Sequence, residues 1–340
     1  MNELGSLPPM DRIFSGIQPT GDLHIGNWLG AVQNWVALQD RYECVYCIVD
    51  LHAVTLPYEV PALAARTRDM AIGLVAAGID PERAILFVQS AVPEHAELNW
   101  LLTTVAPLGE LERMTQFKDK AEKLESIPAG LLCYPVLQSA DILLYRANKV
   151  PVGEDQVQHL ELARVIARRW NTLYAVPPSE PFLPEPEPML TAAKRIKGLD
   201  GQAKMSKSLG NTIGLLESPE EIWAKLRPAA TDPALVTRKD PGTPELCNLY
   251  TLHQHFSSLE TVAEVAQKCR TAGWGCLDCK RRLADAMIET LDPIRLKAEA
   301  LKQDPGTIDA ILTRGAERAR ALAVPTLHGV KQRMGFYGAA

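Results

Sequence analysis

Long apolar runs are missing from this sequence. No stretch approaches the ~18 residues that cross a bilayer, and Met1 to Arg12 carries acids and prolines where a secretory signal would carry lysines and an apolar core. A cytoplasmic chain with no membrane partner is expected. An excess of positive charge is missing too. The 36 Lys and Arg against 41 Asp and Glu give a net charge of −5, which excludes a globally basic, DNA-coating protein and confines any RNA contact to a local surface. Internal repeats and low-complexity tracts are absent, and 46% hydrophobic residues exclude global disorder. Cysteine usage does not suit a disulfide framework. The seven cysteines are an odd number, and four fall late, at Cys247, Cys269, Cys276 and Cys279. In a reducing compartment such a group points to metal before disulfides.

What is present starts with size, since 340 residues allow two domains of ~150 residues each. Short apolar runs at Arg12–Ile17, Val45–Val49 and Ala84–Val88 alternate with helix-like stretches at Ala62–Ala76 and Glu94–Val105. Strands separated by helical segments predict an α/β fold with a doubly wound parallel sheet. Val150–Val152 adds a strand, and Asp155–Trp170 has the three- and four-residue apolar spacing of a surface helix. Six prolines between Pro177 and Pro188 remove too many donors for a helix or a central strand, so that segment reads as a loop or ordered excursion. A second loop, rich in Lys and Gly, runs from Lys194 to Asn211. Beyond about Ser218 the strand signals fade, and Asp278–Gln303 and Thr307–Leu322 look helical. The expected division is an α/β domain over 1–214 and a carboxyl-terminal helical domain over 215–340, with net charges of −6 and +1. The second half is thus less hostile to a polyanion.

Two segments carry chemistry. Arg12 to Asn27 places a strand, a turn and a helix start in succession, ending in His24-Ile-Gly-Asn27, and amides at a helix start favour anions. Gly26 would let a nucleotide approach the backbone, and His24 and Asn27 could donate hydrogen bonds to phosphate or ribose. Taken alone, the pattern equally suits a capped helix. About 180 residues later, Lys204-Met-Ser-Lys-Ser208 lies on the glycine-flanked loop. Two lysines on a mobile loop can follow negative charge as it shifts to a leaving pyrophosphate, whereas an isolated lysine pair is usually only a solvated loop.

Together these segments resemble the two signatures of class I aminoacyl-tRNA synthetases, the first as a His-Ile-Gly-His variant ending in Asn27. Phe14–Gly21, Cys47–Ala53, Gly109–Lys120, Tyr134–Tyr145 and Val150–Gln156 extend the resemblance to the bacterial tryptophanyl-tRNA synthetases, in order, over most of residues 12–210. The resemblance implies a Rossmann-like catalytic domain, activation of L-tryptophan by ATP with Mg2+, transfer of the aminoacyl group to the 3′ end of tRNA(Trp), and a homodimer. It implies an ATP site lined by Gln18, Pro19, Thr20, His24, Gly26 and Asn27, with Gly153, Glu154 and Asp155 at the ribose and Ile196 by the adenine. Lys120, Lys204 and Lys207 would face the triphosphate, with Met205, Ser206 and Ser208 on the same loop. Phe14 and His52 would lie against the indole ring, Tyr134 and Gln156 would meet the ammonium end, and Asp141 would accept the indole N–H. The chemistry of Asp141 agrees, because indole offers one donor and no acceptor, and a pocket built on that bond rejects analogues lacking the donor. Its apolar neighbours Ala140, Ile142, Leu143 and Leu144 favour burial over a helix-surface position. Gln138 stands where many bacterial members carry methionine, which makes the indole wall more polar. Among rivals, a cofactor adenylyltransferase leaves the Lys204 to Ser208 loop and the helical half unexplained. Intact Lys204 and Lys207 speak against a noncatalytic tryptophan- or tRNA-binding relative, and a tyrosyl-specific relative is the nearest alternative.

The late cysteines are spaced C-x21-C-x6-C-x2-C. Structural zinc usually shows two C-x2-C knuckles and only one is present, whereas an iron–sulfur cluster tolerates irregular spacing. A subset of bacterial tryptophanyl-tRNA synthetases carries a 4Fe-4S cluster with nearly this spacing, and Cys247–Gln254 looks like its first segment. A cluster on Cys247, Cys269, Cys276 and Cys279 is expected, with structural Zn2+ or unligated thiols as the alternatives. Cys44 and Cys47 form another C-x2-C on a strand, where residues three apart face opposite sides, so they read as core residues, as does Cys133. Lys280, Arg281 and Arg282 follow the last cysteine. Such a trio is most often a solvated helix face, but beside a metal-fixed loop it is a candidate for tRNA phosphate contacts.

Overall fold

The computed structural model of the chain describes residues 11–122, 124–175, 181–190, 196–202, 205, 209–232, 237 and 239–338. Among these, β1 (Arg12–Ile17), β2 (Glu43–Ile48), β3 (Ile85–Val88), β4 (Lys149–Val152) and β5 (Glu187–Leu190) form one sheet. Its order is β3-β2-β1-β4-β5, and every pairing is parallel. The chain leaves β1 towards β2 and β3, then returns to lay β4 on the other side of β1. In such a sheet, ligands bind in the crevice beyond the strands' carboxyl ends where the order reverses.

Both sheet faces are buried, which is why the strands read as short, nearly continuous apolar runs. Ile13, Cys44, Tyr46 and Leu86 pack on one face, while Phe14, Val45, Cys47 and Phe87 pack on the other. Cys44 and Cys47 thus face opposite sides of the sheet as buried core residues, as expected. Cys133 is half-buried on the helix Ala129–Leu144. The first face is covered by helices Val60–Ala76 and Cys276–Gln303, the second by Glu94–Thr103, Ala129–Leu144 and Val157–Tyr174.

Two expectations need correcting. The proline-rich segment, whose residues 176–180 lie outside the described ones, ends in the strand β5, where Pro188 pairs with Val150. The outer side of an edge strand needs no ladder donor, so proline is tolerated there. The last helix, Pro305–Arg333, runs on well past Leu322. It crosses the open edge of β3, with Ile308 in one core and Ala316, Ala319 and Val330 in the other. The crossing point is Gly315, where an added Cβ would lie 1.8 Å from the carbonyl oxygen of Leu86. Arg318 Nη1 donates to the carbonyls of Pro81 (2.7 Å) and Ala84 (3.1 Å). An edge that would otherwise invite strand pairing is thereby covered. No helix among the described residues is long and apolar enough to cross a membrane.

Candidate active site

The strand ends deliver the polar residues. Gln18, Pro19 and Thr20 follow β1, His52 follows β2, Gln89 follows β3, and Gly153 to Gln156 follow β4. Gln18, Pro19, Thr20, His52 and Lys120 line one cleft of about 250 Å³. Lys120 sits on the short helix Thr115–Ala121 with its Nζ 5.2 Å over the Tyr134 ring. Burial lowers its pKa, and a partly desolvated ammonium is a stronger partner for phosphate. Gly153, Glu154 and Asp155 are exposed at the end of β4. A Cβ on Gly153 would meet Asp155 Oδ1 at 2.8 Å, so glycine lets that carboxylate turn back, where it accepts a hydrogen bond from Gln156 Nε2 (3.1 Å).

His24 caps the helix that starts at Ile25. Its Nδ1 accepts from the backbone N–H of Gly26 (3.1 Å) and Asn27 (3.3 Å), while Asn27 Oδ1 accepts from the His24 N–H (3.2 Å). With Nδ1 as acceptor, the neutral ring carries its proton on Nε2, the form that can donate to an anion. A Cβ on Gly26 would lie 2.9 Å from His24 Nδ1 and 3.4 Å from the Met205 sulfur. Met205 is buried and donates its N–H to the Ile196 carbonyl (3.2 Å). Ile25 N–H donates to Ile213 O (3.0 Å) and Leu215 N–H to Leu23 O (2.8 Å). Two motifs far apart in sequence are therefore one unit. Lys204, Ser206, Lys207 and Ser208 lie outside the described residues.

Behind the cleft, the helix Ala129–Leu144 buries Asp141 to 1% exposure. Its Oδ1 accepts from His95 Nδ1 (2.6 Å) and Gln89 Nε2 (2.7 Å), and its Oδ2 accepts from His52 Nε2 (2.8 Å). Burial pushes the carboxyl up, but the hydrogen bonds and charge of His52 and His95 outweigh it and hold its pKa at about 2. Phe14 lies beneath, stacked on Tyr145 with ring centroids 5.6 Å apart. Tyr134 Oη lies 2.8 Å from His159 Nε2 and donates to Gln116 Oε1 (3.3 Å). Burial raises the Tyr134 pKa to about 12 and lowers that of His159 to about 4, the latter with help from the charge on Lys120. The hydroxyl stays protonated and the imidazole neutral at neutral pH. Gln89, His95, Gln116 and His159 did not emerge from the sequence. The one available signal was position, with Gln89 directly after a strand and His95 in the next helix's first turn.

Outside this cleft, Cys247, Cys269, Cys276 and Cys279 all line one small cavity of about 50 Å³. Burial raises the thiol pKa of Cys269, and that of Cys279 to about 12, with the neighbouring cysteines adding to both. Among the described residues, no group of three or more His, Cys, Asp or Glu is placed to hold a single metal ion. His253 Nε2 lies 3.4 Å from Cys279 Sγ. Of the basic trio behind these cysteines, Arg281 and Arg282 are exposed and only Lys280 leaves the surface. Lys280 is 8% exposed, and its Nζ donates to the carbonyls of Arg227 (2.8 Å) and Ala229 (2.7 Å). It closes the end of the helix Pro219–Leu226, whose last carbonyls lack intrahelical partners. Arg281 stacks over Trp223 at 4.0 Å and Arg282 over Trp274 at 4.5 Å, so all three side chains are engaged within the chain.

A parallel sheet with a reversal crevice, a His-Ile-Gly-Asn helix start and a Met205 segment seated upon it together make the architecture of a class I aminoacyl-tRNA synthetase. Residues 10–292 match the family described as tRNA synthetases class I (W and Y), and the chain belongs to that family. It is 53% identical over 332 residues to the tryptophan–tRNA ligase of Deinococcus radiodurans, covering 96% of this chain and 99% of that one. It is 44% identical over 329 residues to the Thermotoga maritima tryptophan–tRNA ligase, with 95% and 98% covered. The crystal structure of Campylobacter jejuni tryptophanyl-tRNA synthetase complexed with ADP and tryptophan superposes with a TM-score of 0.88 at 33% identity, covering 96% of this chain and 100% of that chain.

Proposed function

We infer that the chain is an ATP-dependent tryptophan–tRNA ligase that makes tryptophanyl-adenylate and then acylates tRNA(Trp). The observation that carries this is the ionised, buried Asp141 behind a cleft lined by Gln18, Thr20 and Lys120. The tryptophan carboxylate attacks the α-phosphorus, pyrophosphate leaves, and a hydroxyl of the terminal ribose of tRNA then displaces AMP. No protein nucleophile is required, so the residues act by position and charge. Gln18 to Thr20, His24, Gly26 and Asn27 hold ATP, Gly153 to Asp155 the ribose, and Ile196 the adenine. Lys120, Lys204 and Lys207 attract the triphosphate. Mg2+, when bound, would be held mainly through the ATP phosphates, as this ion prefers, and would supply charge neutralisation there. Phe14 floors the indole pocket, His52 walls it, and Tyr134 with Gln156 receives the ammonium. ATP–pyrophosphate exchange tests the reading: exchange should depend on L-tryptophan, and equal rates with tyrosine would refute it.

Residues 1–214 carry activation and 215–340 the tRNA contacts in this reading, although the two stretches share their cores. A role in charging tRNA supports a cytoplasmic location. A homodimer is supported by the apolar side chains of Trp100 and Leu108, which are 67% and 59% exposed. The four late cysteines suit a 4Fe-4S cluster better than zinc. They line one cavity, and their irregular spacing has only one of the two C-x2-C knuckles usual for zinc. When bound, the cluster would clamp the Thr243 to Cys279 region, and loading it must release the protons of Cys269 and Cys279. Anaerobically purified protein should be brown with about four irons per chain. Cys276→Ser should lose that iron and lower tRNA charging or stability while tryptophan activation persists. About one zinc per chain in colourless protein would move the site to the zinc reading, and four freely titratable thiols would defeat both.

A further inference from the structure

His95 is fully buried and lies outside every motif that drew attention in the sequence. Its two ring nitrogens are both committed. Nδ1 is 2.6 Å from Asp141 Oδ1, and an ionised carboxylate only accepts, so Nδ1 must carry the proton. Nε2 is 2.7 Å from Tyr145 Oη. The Tyr145 hydroxyl, which can donate or accept, completes the second hydrogen bond of the ring. One ring orientation satisfies both contacts. Phe14 stacks on Tyr145 and Phe87 packs edge-on against it, which holds the far end of the relay still.

The acceptor inventory of Asp141 gives this relay its purpose. A carboxylate has about four lone-pair sites. Among the described residues Gln89 and His95 take those of Oδ1, and His52 takes one on Oδ2. The remaining site on Oδ2 is the one open to a ring N–H. A full flip of the carboxylate changes nothing, because its two oxygens are equivalent, but a partial rotation about Cβ–Cγ would aim that site away from the ring N–H and lengthen the bonds to Gln89, His95 and His52.

We propose that His95, oriented by Tyr145, is a positioning residue that locks the Asp141 carboxylate so that one Oδ2 lone pair meets the indole N–H. The proposal rests on the reading of Asp141 as the indole acceptor. Its test compares kcat/KM in pyrophosphate exchange for L-tryptophan and for its benzothiophene isostere, in which sulfur replaces the ring N–H. A merely structural role would lower both values together and leave their ratio alone. His95→Leu is expected to reduce the preference for tryptophan by about tenfold, the scale of one hydrogen bond lost from a discrimination. His95→Asn, whose Nδ2 takes the place of the imidazole Nδ1, should restore most of it. Tyr145→Phe keeps the core volume and should lower the ratio severalfold, which preserves the test if the Leu variant folds poorly. A ratio unchanged in His95→Leu and Tyr145→Phe but collapsed in Asp141→Ala would overturn the proposal alone. A ratio unchanged in Asp141→Ala would overturn the acceptor reading, and the proposal with it.

Discussion

Asp141→Ala is expected to lower kcat/KM for tryptophan by about 10²-fold or more, with the KM for ATP changed by no more than about twofold. The loss is specific because Asp141 lies behind the nucleotide cleft and does not line it. Discrimination against phenylalanine should erode at the same time, since nothing then requires a ring donor. Stability should fall as well, because the donors of Gln89, His52 and His95 lose their partner in a dry site, each at a cost of about 1–3 kcal/mol. The pH dependence has a definite sign. The folded carboxyl titrates at about 2, below its ordinary 3.8. Its contribution is therefore fully present above about pH 4 and disappears as the pH falls towards 2. Acid unfolding followed by circular dichroism should lose that part of its slope in Asp141→Ala.

Lys204→Ala is expected to lower the turnover of tryptophan activation by roughly 10²-fold or more, with a smaller change in tryptophan affinity. Charge moves onto pyrophosphate only as the bond to the α-phosphorus breaks, so a lysine serving the leaving group acts chiefly in the transition state. The seating of Met205 on Gly26 brings this segment to the His24 helix start. Stopped-flow measurement of adenylate formation separates the step from binding, and unchanged turnover would contradict the role.

How much could be read from the sequence differs between elements for physical reasons. β1, β2 and β3 were legible because strands buried on both faces are short apolar runs. β5 was not, because proline forbids a central strand and says little about an edge. Asp141 was legible through its motif and its apolar neighbours, but the donors that saturate it come from the ends of other strands. Only the folded sheet brings Gln89, His95 and His52 to one carboxylate. Lys280 was misread for a similar reason. A basic trio looks solvent-facing in sequence, and only packing reveals that the first of its members serves two backbone carbonyls.

The crossing of β3 by the helix Pro305–Arg333 has a bearing on how the protein is made. The strand whose end supplies Gln89 is synthesised 227 residues (315 − 88) before the Gly315 turn of the helix that covers it. At about 5–20 residues per second, β3 spends on the order of ten seconds or more with this edge uncovered. Over that interval it presents the open edge and apolar surface that chaperones shield. Docking of the helix Pro305–Arg333, rather than completion of the sheet itself, is then the event that closes the edge of the strand leading to Gln89.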